Sequence, residues 1–203
     1  MHSLPYGLFA LVGCTALLLA GTVYAADEPA PPAPAGATAG SNKQEGKDPA
    51  GDIDPATQNG KSAGEAKYEN NRWVLGSGEP TYRISEDGTV DRATYDGFKR
   101  YHAECHTCHG PNGLGSTFAP ALADTMKNMN YDQFKEMVAN GKTSAERVMP
   151  AFASNPNVMC YVDDIYTYLK ARADGALKSG EAQVKKKVGK SKEAQEAEKT
   201  CMQ

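Results

Sequence analysis

Five residues, Cys105-His106-Thr107-Cys108-His109, set the terms on which this chain can fold. Two thiols at this spacing can add to the two vinyl groups of a haem, and the next side chain, an imidazole, then reaches the iron from one face. The run is read as a c-type haem attachment site. Two other chemistries use a C-x-x-C pair, a structural zinc site and a redox dithiol. No second C-x-x-C or C-x-x-H completes a zinc site, and the Gly/Pro-rich residues after His109 do not resemble the helix that a redox dithiol caps. Haem c, one group covalently attached, is therefore the working premise.

The chain has 203 residues, unevenly composed, which suits a single small domain with extensions. Residues 1–25 contain no Lys, Arg, Asp or Glu and run apolar from Leu4 to Val23. They read as a signal peptide cleaved after Ala25, with Val23 and Ala25 as the small residues before the cut, although the basic segment expected ahead of the apolar run is missing. An uncleaved anchor is the alternative, because the apolar run approaches a spanning length. Leu11-Val12-Gly13-Cys14 resembles a lipoprotein box, but the apolar run continues after the cysteine. Either way the domain is exported, to the periplasm. Residues 26–67 are rich in Pro, Ala and Gly with almost no large apolar side chain, so they read as a disordered linker.

Of the five cysteines, Cys14 falls in the leader and Cys105 and Cys108 are claimed by haem. Cys160 and Cys201 remain, and in an oxidising compartment a disulfide between them is the economical expectation; two free thiols are the alternative. The formal net charge is −3 and no basic patch with interleaved aromatics appears, so nothing points to nucleic acid. Residues 68–174 carry 11 basic and 14 acidic side chains, against 7 and 4 in residues 175–203. A mildly acidic domain with a basic tail allows a docking face of mixed sign.

Order is expected from about Tyr68, with a cytochrome-sized domain over 68–177 and a solvated Lys/Glu-rich tail over 178–203, tied back only if Cys201 is bridged. Asp87-Gly88, between Thr81–Ile84 and Thr89-Val90, signals a small β-hairpin. Asp91 or Thr94 can cap a helix running to Glu104, on which Gly97, Tyr101 and Cys105 share a face that should meet the last helix. Gly110 to Gly115 must be loop. Pro120 sits where its carbonyl could accept from the distal nitrogen of His109, fixing the ring. Asn130 caps a helix over 131–139 that stops at Asn140-Gly141. A final helix over 157–173 carries the apolar stripe Val158, Val162, Ile165 and Leu169.

His109 gives the iron one axial ligand, and the second must come from the opposite wall. Met126, Met129, Met149 and Met159 are candidates, with His102 and His106 read as surface or haem-edge residues. Met149 stands out: it follows the helix ending at Gly141 and precedes Pro150, which locks the backbone. A soft, uncharged thioether favours ferrous iron and raises the potential. With both faces filled, the chain is expected to carry electrons rather than act as an enzyme; a haem sensor or catalytic domain with an open position is the alternative.

Cys105-x-x-Cys108-His109-Gly110, Gly113/Gly115, Pro120, Met149-Pro150-x-Phe152 and the aromatic last helix together resemble a class I cytochrome c. That resemblance implies an all-α fold around covalent haem, with His109 and Met149 as the metal ligands. The blocks Trp73–Tyr82, Tyr101–His106, Gly115–Leu122 and Asn157–Tyr166 are similar to the four-cysteine, methanol-metabolism-related cytochromes c. The group includes cytochrome cL-like acceptors of lanthanide-dependent, pyrroloquinoline quinone (PQQ) methanol dehydrogenases, and Cys160 and Cys201 would be its second cysteine pair. The resemblance implies a PQQ-dependent methanol dehydrogenase as electron donor and a downstream cytochrome c or oxidase as acceptor, with the chain soluble after signal cleavage. A general periplasmic carrier to a terminal oxidase is the alternative.

Overall fold

The computed structural model describes residues 60–178, 185–186 and 190–203. The expected leader and most of the expected linker lie outside them. Structure begins earlier than Tyr68: Lys61 exchanges backbone hydrogen bonds with Ile84, and β1 (Ala66–Glu69) pairs antiparallel with β2 (Arg72–Leu75). Asn70 and Asn71 join these strands with φ values of 50° and 64°. Two consecutive left-handed residues make the turn whose twist matches that of a hairpin, and asparagine tolerates that conformation best after glycine.

The small N-terminal hairpin is therefore present, but its strands lie ahead of the predicted ones. Around Asp87-Gly88 the chain does turn, with Gly88 at φ 81°, yet Ile84 and Val90 form only an isolated bridge. Asp87 Oδ1 accepts from Thr89 N at 2.9 Å and from Ser85 Oγ at 2.6 Å, and Ser85 N donates to Thr89 O at 2.9 Å, so side chain and backbone close the turn together. β3 (Thr89–Val90) takes a parallel partner from the far end of the chain.

The helices follow. In α1 (Arg92–Glu104) the Asp91 carboxylate accepts from Thr94 N at 3.1 Å, as an N-cap does. A short α2 (His106–His109) holds the cysteine motif, and α3 (Leu122–Thr125) follows the loop. α4 (Tyr131–Asn140) opens with a reciprocal capping box between Asn130 and Gln133 and ends at Gly141. After it, β4 (Lys142–Thr143) pairs antiparallel with β5 (Val148–Met149).

The final helix is two: α5 (Pro156–Met159) and α6 (Val162–Ala173). Tyr161, at φ −126° and ψ 15°, breaks the ladder next to Cys160, whose sulfur is bonded to Cys201. The apolar stripe survives the break, since Val158, Val162, Ile165 and Leu169 are all buried. They pack with Tyr101, Met126, Phe134, Tyr166 and Tyr168 into one core.

The tail is not simply solvated. β6 (Lys185–Lys186) is the strand beside β3, and α7 (Lys192–Cys201) is capped by Ser191, whose Oγ accepts from Ala194 N at 3.1 Å. A Cys160–Cys201 disulfide joins α7 to the end of α5 across 41 residues. Lys190 reaches Asp96 on α1 at 3.6 Å and pairs with Glu198. A polar helix without a buried residue of its own is held by one covalent bond, ion pairs and the packing of its C-cap residue Met202 on the core. Among the described residues no helix is long and apolar enough to cross a membrane.

Candidate haem site

The motif is placed by the end of α1. Cys105 caps that helix, its N–H donating to Tyr101 O, and the next residue starts α2, so both cysteines and His109 fall within little more than a helical turn. Cys105 is half-buried, Cys108 is exposed, and the two are not paired with each other, in contrast to Cys160 and Cys201. Burial, together with the nearby Glu104 and Cys108, pushes the Cys105 thiol up to about 12. A dithiol reductant needs the opposite, a thiolate stabilised near neutral pH. Among the described residues no group of three or more His, Cys, Asp or Glu is placed to hold a metal ion, so the zinc reading finds no ligand set.

His109 is buried, and its Nδ1 lies 3.0 Å from the carbonyl oxygen of Pro120. A carbonyl only accepts, so Nδ1 carries the hydrogen and Nε2 keeps the lone pair. The ring is thereby fixed and its other nitrogen freed for a metal. Two cysteines at haem spacing beside a buried imidazole in its ligand tautomer fit a covalently bound haem c.

The loop after the motif is tied by residues the sequence reading passed over. Tyr101, fully buried, donates its hydroxyl to Gly110 O at 2.5 Å and accepts from Gly113 N at 3.0 Å. Gly115 N donates to His109 O at 2.8 Å, and Ser116 Oγ donates to Cys108 O. Helical periodicity places Tyr101 only on a helix face, but its hydroxyl ties down the loop, whose free backbone groups are the signal for it in the sequence.

Further along the chain, the pairing of Lys142 in β4 with Met149 in β5 fixes the position of the methionine in the strand. Gly141 makes this closure fit. A Cβ there would come 2.4 Å from Met149 O and 2.7 Å from the Pro150 carbonyl carbon, and its φ of 68° is one that glycine adopts without strain. Met149 is half-buried and packs against the core. Met126 is enclosed in the core, while Met129 and Met159 are partly buried against it. His102 is half-buried with its Nδ1 at 2.8 Å from Phe98 O, and His106 is exposed.

A second polar cluster joins the hairpin to α1, α6 and the tail. Arg72 Nη1 lies 2.9 Å from Asp163 and 3.3 Å from Asp164, and Arg92 Nε lies 2.6 Å from Asp96. Burial pushes the Asp164 carboxyl up to about 7, against the pull of Arg72 and with repulsion from Asp96, Asp163 and Asp91. This cluster was invisible in the sequence because its members come from four separate segments.

The profile of the family described as cytochrome c oxidase, cbb3-type, subunit III matches residues 92–169. Cytochrome c-553I of Paracoccus denitrificans is 49% identical over 148 residues, which cover 71% of this chain and 65% of that protein. The chain thus spans just under two thirds of that relative. Cytochrome c-555 of Methylococcus capsulatus is 47% identical over 93 residues, 45% of this chain and 72% of the relative. The crystal structure of the c-type cytochrome XoxG from Methylobacterium extorquens AM1 aligns with a TM-score of 0.62 at 50% identity, covering 67% of this chain and 84% of that one. With the attachment motif, the oriented imidazole and these relatives in agreement, the chain belongs to the class I c-type cytochromes.

Proposed function

We propose that this chain is a periplasmic one-electron carrier that accepts electrons from a PQQ-dependent methanol dehydrogenase and passes them to a later cytochrome c or oxidase. The observation that carries the reading is the fixed His109 ring, tied through Nδ1 to Pro120, in a chain that also presents Met149 from a short β-ladder closed over Gly141. Bound haem c supplies a one-electron ferric/ferrous couple. Cys105 and Cys108 hold the group to the chain, and His109 and Met149 are the proposed donors to its iron. Tyr101 pins the loop between them, so the donors need not reorganise when the charge changes. With His109 and Met149 both donating to the iron of a bound haem, no coordination position would be left for a substrate, which favours carriage over catalysis.

The methanol-specific part rests on the resemblance to the methanol-metabolism-related cytochromes, and the likeness to XoxG and cytochrome c-555 supports it. Its test is rapid mixing of the ferric holoprotein with a lanthanide-loaded methanol dehydrogenase, with and without methanol. Fast, saturable, methanol-dependent reduction is expected. Reduction no faster than that of an unrelated class I cytochrome would leave a carrier with another donor. That second reading, a general carrier to a terminal oxidase, draws on the match of residues 92–169 to the cbb3-type oxidase subunit profile.

A further inference from the structure

Two imidazoles stand outside the proposed iron-binding set. His102 lies in the last turn of α1 and His106 opens α2, and their ring centres are 5.5 Å apart with the planes inclined by 39°. The i, i+4 spacing is the one by which helical histidine pairs grip zinc. With each nitrogen about 2 Å from a zinc-class ion, the ring centres lie roughly 3 Å from it, so two rings on one ion sit at most about 6 Å apart. The observed separation falls inside that limit.

The tautomer is also set. His102 Nδ1 lies 2.8 Å from the Phe98 carbonyl oxygen, which can only accept, so Nδ1 carries the hydrogen and Nε2 the lone pair. Metal-ligating histidines characteristically give their second nitrogen to a main-chain carbonyl or a carboxylate. His109 is held in the same manner by Pro120. The His102 ring is packed against Phe98 and Tyr168, with ring centres 4.5 and 5.9 Å away, which holds its orientation. His106 is exposed and gives an ion access from solvent.

We propose that His102 and His106 together form a binding site for a divalent transition-metal ion of the zinc and copper class, the remaining positions being filled by water. Two neutral imidazoles are the donors such ions prefer. Arg172 is near enough to act on the charge of His102, and its guanidinium opposes a cation, so the site is weaker than one with three protein ligands. The proposal does not depend on which protein donates electrons.

The test is calorimetric titration of the tag-free holoprotein with zinc chloride, repeated on H102Q, H106Q and the double variant. One ion per chain is expected, with affinity lower by at least about tenfold in each single variant. Copper(II) added to the ferric holoprotein should show electron-spin coupling to two imidazole nitrogens, and to no more than one in H106Q. Because His106 is exposed, H106Q should keep the wild-type haem spectrum and melting temperature, so its result reads ligation rather than folding. Wild-type zinc affinity in H106Q, or wild-type binding no tighter than that of the double variant, would overturn the assignment.

Discussion

A Cβ placed on Gly97 would lie 1.8 Å from the backbone oxygen of Asp164 and 2.4 Å from its carbonyl carbon. The two long helices of the domain cross here, backbone against side-chain-free backbone. The obstacle is main chain rather than a flexible side chain, so Gly97→Ala must push the helices apart. Overpacking commonly costs about 1–3 kcal/mol, and a backbone clash belongs at or above the upper end. Chemical denaturation of the holoprotein should show a loss of about 3 kcal/mol or more. A loss under about 1 kcal/mol would mean that the crossing is looser than described.

The same crossing buries Asp164, which gives the stability a defined dependence on pH. Its carboxyl is raised by burial from 3.8 to about 7. Between those values the folded chain keeps a proton that the unfolded chain releases, so the contribution is complete below about 3.8 and is lost as pH rises through 7. The slope from one such group cannot exceed about 1.4 kcal/mol per pH unit. Asp164→Asn removes the titration, so its stability should fall less steeply than the wild type between pH 4.5 and 8. Parallel stability curves for the two proteins would exclude Asp164 as the titrating group.

How far the sequence could be read depended on whether partners were local. The attachment motif, the Pro120 carbonyl within reach of His109 and the Asp91 and Asn130 caps were legible because each works within a dozen residues or fewer. The Gly97 face was legible because helical periodicity projects it. The hairpin was misplaced because Asp87-Gly88 is the stronger turn signal, whereas the strands that pair are joined by Asn70-Asn71. What decides between the two is the partner strand, and β3 finds its partner in the tail. The Cys160–Cys201 bond was legible from the cysteine count, whereas the break at Tyr161 beside it follows no local pattern, since the apolar stripe runs through it unbroken.

That bond makes the tail part of the fold, and removing it should be felt. Closing a loop across 41 residues stabilises by about 4 kcal/mol on the chain-entropy model, and native disulfides in small secreted domains are worth about 2–5 kcal/mol. Cys201→Ser should therefore lower stability by about 2–4 kcal/mol and increase amide exchange across 192–203, where the remaining ties include the Lys190 ion pairs and the packing of Met202 on the core. The haem absorption spectrum should be unchanged, since among the described residues no hydrogen bond, ion pair or ring contact joins the motif to α7. Unaltered exchange in the tail would show that the ion pairs alone hold it.

Met149 is singled out by backbone rather than by side-chain contacts. Five methionines border or enter the core among the described residues, but of these only Met149 is pinned in a strand whose closure requires a glycine at the end of the preceding helix. As the proposed ligand, Met149 would be held in position by backbone pairing when the iron changes charge, whereas Met126 is enclosed in the core at 1% exposure. Replacing a thioether with an imidazole exchanges a soft donor for one that favours ferric iron. Met149→His should keep the iron six-coordinate while lowering the reduction potential by on the order of 0.2 V, within the span that axial ligands command. Met149→Ala should instead open one face, so that the ferrous protein binds carbon monoxide readily where the wild type does not. Redox titration of these two variants beside Met126→Leu and Met129→Leu decides the point. If the potential moves with either of the latter and stays put with Met149→His, the ligand lies in the segment around α3, and the β-ladder serves only to close the loop.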